Sequence, residues 1–213
     1  MKTKVMLVLA MVIAGLSLKA QDKTQGKVNY EVSINLHASL KPDQLQFKDM
    51  IPEFSVSKEV LYFNGNLAKI EHASPEVQEG EGGVKVKMDF EGGKKGMYSD
   101  GTAEGTYHLI EKDGKKSLLA ISDKKEGGNE DKPGKTKEIL GFTCQGVTSG
   151  GFTLWICKEL PFKIGPFGMF SKEGAILGFE TKTGKGYATS IDYVPVKAED
   201  VAVPKDLPIE KKS

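Results

Sequence analysis

Two cysteines, three histidines and a glycine- and lysine-rich run are the places where this 213-residue chain could do chemistry beyond its scattered carboxylates. Cys144 and Cys157 are its only cysteines, 13 positions apart in TCQGVTSGGFTLWIC, on either side of Gly150-Gly151. The pair could be a redox couple, half of a metal site, or a cross-link. A redox couple is favoured by a C-x-x-C spacing or by a cation that lowers a thiol pKa, and only Lys158 is adjacent. A metal site needs further ligands close by. His37, His72 and His108 show no H-x-H or H-x-x-x-H spacing, and none lies near a cysteine in sequence.

A cross-link follows from hairpin geometry. If Gly150-Gly151 are the central residues of a primed turn, Ser149 faces Phe152, and pairing proceeds through Thr148 with Thr153, Val147 with Leu154, Gly146 with Trp155 and Gln145 with Ile156 to Cys144 with Cys157. Trp155 then covers a glycine. Counted from the turn, the cysteines form a non-hydrogen-bonded pair with Cα atoms about 4.5 Å apart, inside the range a disulfide tolerates. We expect a structural cross-strand disulfide.

Other chemistry finds less support. Ser149 is not in a G-x-S-x-G elbow and belongs to a hairpin tip. The run GNEDKPGKT, Gly128 to Thr136, resembles a phosphate-binding loop, but its glycine spacing is one residue too long, two acids lie where phosphate would sit, and no helix pattern follows. There is no arginine, the side chain best shaped for phosphate and carboxylate forks. The expectation is a non-enzyme without catalytic residues, metal or cofactor. Phe162, Phe167, Met169 and Phe170 cluster in a Gly/Pro-rich stretch with no strand or helix period, where they could cap the core or form the lid of an apolar pocket.

The elements that would position these residues are mostly strands. VNYEVSINL, 28 to 36, alternates apolar and polar residues as a half-buried antiparallel strand does. Pro42 to Pro52 reads as a short helix over the sheet, carrying Leu45, Phe47, Met50 and Ile51. Val60 to Phe63 and Leu67 to Ile70 flank Asn64-Gly65 as a hairpin, and Tyr107 to Ile110 pairs with Ser117 to Ile121 through Asp113-Gly114. VKVKMDF, 84 to 90, alternates again, and further strands fall near 175 to 181 and 187 to 194. A loop near 122–136 has no apolar residue. The sum is a mainly β fold: a curved antiparallel sheet or half-barrel of roughly eight to eleven strands with one or two short helices.

The N-terminus sets the compartment. Lys2 and Lys4 precede an apolar run from Val5 to Leu18 that is too short to cross a bilayer, and the small Ala20 precedes a polar sequence; residues 1–20 read as a signal peptide. The mature chain would be one β-rich domain, 21–194, followed by an extended proline-containing tail, 195–213. Removing Lys2, Lys4 and Lys19 from the 30 basic residues leaves 27 against 29 acidic ones, so neither nucleic acid nor an anionic membrane is an expected partner. The mature chain carries no later run able to span a membrane.

YEVSIN, MIPEF and SKEVLYFNG in the first half, and ILGFTC, LWICKELP, Gly165-Pro166 and GAIL in the second, are similar in type and order to the GLPGLI family, exported proteins of Bacteroidota without an established activity. The naming motif is degenerate: Ser171-Lys172-Glu173-Gly174-Ala175-Ile176 keeps only its second glycine and its isoleucine. The second half resembles equally a related exported domain family of unknown function in the same bacteria. The resemblance implies the periplasm or cell envelope of a Gram-negative bacterium and a half-barrel like that of LolA and LolB. The expected function is a periplasmic binding or carrier-like module for a hydrophobic small molecule. The alternative is an interaction or accessory protein, partnered by another envelope protein such as an outer-membrane receptor or secretion system.

Overall fold

Period-two alternation becomes buried strand where it is cleanest. β1 (Gln25–Asn35) buries Val28, Tyr30 and Val32 and turns Glu31 to solvent. The computed structural model describes residues 22–72, 78–79, 85–86, 94–121 and 132–210. The expected signal peptide, most of the expected strand 84–90 and residues 122–131 of the expected loop lie outside the described residues.

β2 (Phe54–Asn64) and β3 (Leu67–His72) form the expected hairpin, one residue displaced: Asn64 pairs with Leu67, so Gly65 and Asn66 are central and Gly65 takes φ +58°. This register opposes Phe63 to Ala68, Leu61 to Ile70 and Glu59 to His72. Centring the turn on Asn64-Gly65 would instead set Glu59 against Ile70, which leaves a buried acid without its polar neighbour. β4 (Gln78–Glu79) and β5 (Lys85–Val86) pair by themselves. β6 (Lys94–Ser99), β7 (Thr106–Lys112) and β8 (Lys115–Ala120) are a meander whose last turn is Asp113-Gly114, with φ +52° and +75°.

The second half comprises β9 (Lys132–Ile139), β10 (Phe142–Ser149), β11 (Phe152–Cys157), β12 (Ala175–Glu180) and β13 (Gly184–Asp192), then a helical turn, α1 (Ala198–Val201), and β14 (Ile209–Glu210). Twelve strands join in the order β14-β8-β7-β6-β3-β2-β1-β13-β12-β11-β10-β9, antiparallel except for β14 with β8. β1 lies in the middle of an open, mainly β sheet: β2, β3 and β6 to β8 form one wing, to whose edge the C-terminal β14 adds, and β9 to β13 form the other.

Three expectations need correcting. The strand count exceeds the estimate because β6, β9 and β14 form where no strand is expected; Lys132 to Thr136, expected as loop, open β9, since polar residues suffice for an edge strand that has a partner on one side only. The C-terminal tail is not simply extended, since α1 buries Val201 and β14 pairs with β8. The segment Pro42–Met50 is a 3-10 helix started at Pro42, with Gln44 Oε1 accepting the Lys41 N–H at 3.0 Å, but it covers nothing: none of its residues is buried. At three residues per turn Phe47 and Met50 fall in one row and Leu45 a third of a turn away, and all three stay exposed instead of meeting the sheet.

Candidate functional site

The Cys hairpin forms in the expected register, from Ser149 with Phe152 to Gln145 with Ile156, and Cys144 and Cys157 are disulfide-bonded with Cα atoms 4.4 Å apart. Gly150 and Gly151 take φ +58° and +82°, as a primed turn requires.

The aromatic stretch divides. Phe162 is fully buried, its ring centroid 4.9 Å from that of Phe63, and Ile164 is buried in the same cluster; these two are core. Phe167, Met169 and Phe170 are half-buried. Phe167 holds φ +55°, uncommon for a bulky residue, and its N–H donates to Glu59 Oε2 at 3.0 Å. Gly168 follows with φ +69°, where a Cβ would collide with Met97.

Glu59, which no sequence motif marks, organises the inner face. Ala188, Tyr30, Glu59 and His72 are successive cross-strand partners over β13, β1, β2 and β3. Glu59 is 2% exposed, and its Oε1 lies 3.4 Å from His72 Nδ1, an ion pair when the imidazole is protonated. Tyr30 donates to the Ile176 carbonyl at 3.0 Å, and burial first, then the charge of Glu59, pushes its phenol above the ordinary range. The signal in the sequence that could have found Glu59 is its phase: it stands two and four residues before the inward Leu61 and Phe63. His72 faces Glu59 in the adjacent strand; His37 instead sits in the connection after β1, its Nε2 2.7 Å from the Ile51 carbonyl oxygen.

A second row crosses the opposite face of the same sheet. Gly146, Trp155, Gly178 and Tyr187 are successive partners over β10, β11, β12 and β13, and Tyr187 continues to Glu31 of β1. Both rings lie flat over glycine. A Cβ on Gly146 would come within 2.9 Å of the Trp155 ring, and one on Gly178 within 2.5 Å of the Tyr187 ring. From the edge strand β9, Lys137 Nζ reaches over them, 5.0 Å from the Trp155 centroid and 4.3 Å from that of Tyr187. Glu180 Oε1 accepts from Lys137 at 3.0 Å, from Trp155 Nε1 at 3.3 Å and from the Tyr187 hydroxyl. The Tyr187 bond, then Lys137, holds the Glu180 carboxyl below its ordinary value. Bonding to Tyr187 at 2.5 Å raises Lys137, and burial followed by the Glu180 bond raises Tyr187. This is a cation held between two aromatic faces and a carboxylate.

Two further features lie at the surface. Leu45, Phe47, Met50 and Phe54 are each 47–53% exposed within ten residues of chain. A cleft of about 270 Å³ opens between the outer face of β2 and β3, at Tyr62, Lys69 and Glu71, and the tail at Val194–Val196 and α1. Among the described residues no three of His, Cys, Asp and Glu converge as a metal site, and no helix is long and apolar enough to cross a membrane.

The fold is similar to that of PNGF-II, solved in two crystal forms. The C2 form superposes with a TM-score of 0.53 at 13% identity over 88% of this chain and 31% of PNGF-II. The P21 form gives 0.50 at 13% identity over 89% and 32%. The chain thus spans about a third of PNGF-II, and at this identity the likeness is one of fold alone. An uncharacterized conserved protein from Thermus thermophilus aligns over 98% of this chain and 99% of its own, with 10% identity and a TM-score of 0.40, too low to carry an argument. No protein-family model matches the chain, and no curated protein matches it in sequence. The class these observations define is a mainly β protein built on one open twelve-stranded sheet.

Proposed function

We propose that this protein is a non-catalytic binding module of the bacterial envelope that meets a protein partner at its surface. The observation that carries this reading is the exposure of Leu45, Phe47 and Met50 on one 3-10 segment between β1 and β2. Three large apolar side chains left half in water cost solvation that burial against a partner would recover, at about 25 cal/mol for each Å² of apolar surface covered. The carrier reading, in which a hydrophobic molecule lies under the 162 to 170 stretch, has less support because Phe162 and Ile164 fill the space there. Export belongs to the same reading and rests on the leader pattern, the disulfide and the resemblance to the GLPGLI family.

The test is a photocrosslinking residue at position 47 in the protein expressed in its own host. The reading expects one discrete protein adduct in the envelope fraction, lost when Leu45→Asp and Met50→Asp are added, with the unfolding midpoint unchanged. Stoichiometric lipid in native mass spectra of the purified protein, with no adduct, would return the carrier reading.

A further inference from the structure

We propose that Trp155, Tyr187 and Glu180 form a binding cage for an ammonium group, and that Lys137 of the edge strand is its intramolecular occupant. The Lys137 ammonium stands in for the ligand: it lies within 5.0 Å of both ring centroids and 3.0 Å from Glu180 Oε1. These are the elements that recognise primary or methylated ammonium ions, two electron-rich faces and one compensating charge. The site does not involve the apolar segment and is independent of the partner reading.

Three features distinguish a cage from a strand fastening. First, the rings lie flat only because Gly146 and Gly178 occupy strand interiors, where glycine weakens a sheet; the sequence accepts that cost twice in one row to shape the surface. Second, the charged groups are half in water, Lys137 40% exposed and Glu180 42%, while Trp155 is only 8% exposed, so a ligand meets the carboxylate from solvent and gains the indole face as Lys137 leaves it. Third, the occupant comes from β9, a strand paired on one side only, on a flexible four-carbon stem that can swing out while β10 to β13 keep the cage intact. An attached competitor acts at an effective concentration in the millimolar range, so ligand binding to the unaltered protein is weakened but not abolished.

Trp155 is the only tryptophan, so its fluorescence reports the cage directly. The experiment titrates wild type, Lys137→Ala and Lys137→Gln with tetramethylammonium chloride at constant ionic strength, using sodium chloride as the reference. Saturable change in Trp155 emission is expected for both variants, with half-saturation at least tenfold below that of wild type. Adding Glu180→Gln should weaken it at least tenfold again. Free choline and phosphatidylcholine vesicles then distinguish a soluble ammonium ligand from a lipid headgroup: response without co-sedimentation assigns the first, co-sedimentation the second. If both Lys137 variants fold, as judged by their urea transitions, and respond to tetramethylammonium no differently from sodium, Lys137 is only a fastening and the cage is refuted. Equal half-saturation in wild type and variants would refute Lys137 as the occupant.

Discussion

Glu59 and Glu180 are both carboxylates beside a tyrosine and a basic side chain, on opposite faces of one sheet. Glu59 is 2% exposed and answers a backbone N–H and an imidazole; Glu180 is 42% exposed and answers a lysine, a phenol and an indole. The inner group is enclosed by the core and fixes the path of the 162 to 170 stretch through Phe167. The outer one keeps access to water, so its contacts can be exchanged. The same residue types therefore specify the fold on one face and offer binding chemistry on the other, and solvent access decides between them.

The largest expected effect tests that contrast directly. Glu59→Ala removes the acceptor of the Phe167 N–H and the neighbour of His72 in a place water does not reach, and should cost about 3–5 kcal/mol in urea unfolding. Glu180→Ala should cost no more than about 1 kcal/mol, as exposed ion pairs do. Glu59→Gln, which keeps an acceptor, should fall between them. Equal losses at the two positions would break the comparison.

Next in size is the disulfide. Replacing Cys144 and Cys157 together by alanine should cost at most about 3 kcal/mol, and less where the hairpin persists in the unfolded chain. Hydrogen exchange should then rise first in β10 and β11, leaving the Tyr30–Glu59–His72 row protected. Gly178→Ala sharpens the outer row: a Cβ would lie 2.5 Å from the Tyr187 ring, which must lift. We expect a loss of about 1–3 kcal/mol and a red shift of Trp155 emission as its neighbour moves. An unshifted spectrum would mean that the two rings are not packed as one surface.

What is legible in the sequence follows from how local the determining physics is. The Cys hairpin can be read pair by pair because one Gly-Gly turn sets its register and every later pairing follows by counting. β1 is equally plain, because one face is buried and one is wet. The turn at Gly65-Asn66 is displaced because opposing Glu59 to His72, three-dimensional information, outweighs the local Asn-Gly preference. β9 and β14 carry polar edge sequences that look like loop until a partner strand is supplied. The cage is half visible: Trp155 over Gly146 follows from the hairpin. Its other members come from β9, β12 and β13, whose order in the sheet no local pattern states. The apolar 42–51 segment misleads because hydrophobicity alone does not imply burial: Leu45, Phe47 and Met50 stay exposed.

The smallest effect concerns pH and isolates the outer carboxylate. Hydrogen bonds from Tyr187 and Lys137 hold Glu180 below the ordinary glutamate value, so its native pKa lies under its unfolded one. A group depressed in this way stabilises the fold fully above the unfolded pKa of about 4.3, and that stabilisation is lost as pH falls through the native value. Because Glu180 is 42% exposed, solvent screens the interaction and the gain should stay under about 1 kcal/mol. Wild type should therefore be slightly more stable than Glu180→Gln near neutral pH, and the difference should shrink as pH falls below the unfolded value of about 4.3 and vanish beneath the native one. Added salt should shrink the neutral-pH difference as well, since an exposed pair is screened within a Debye length of about 10 Å at roughly 0.1 M. A difference that persisted in acid would show that Glu180 acts through packing rather than charge, and the contrast with Glu59 would then be one of degree.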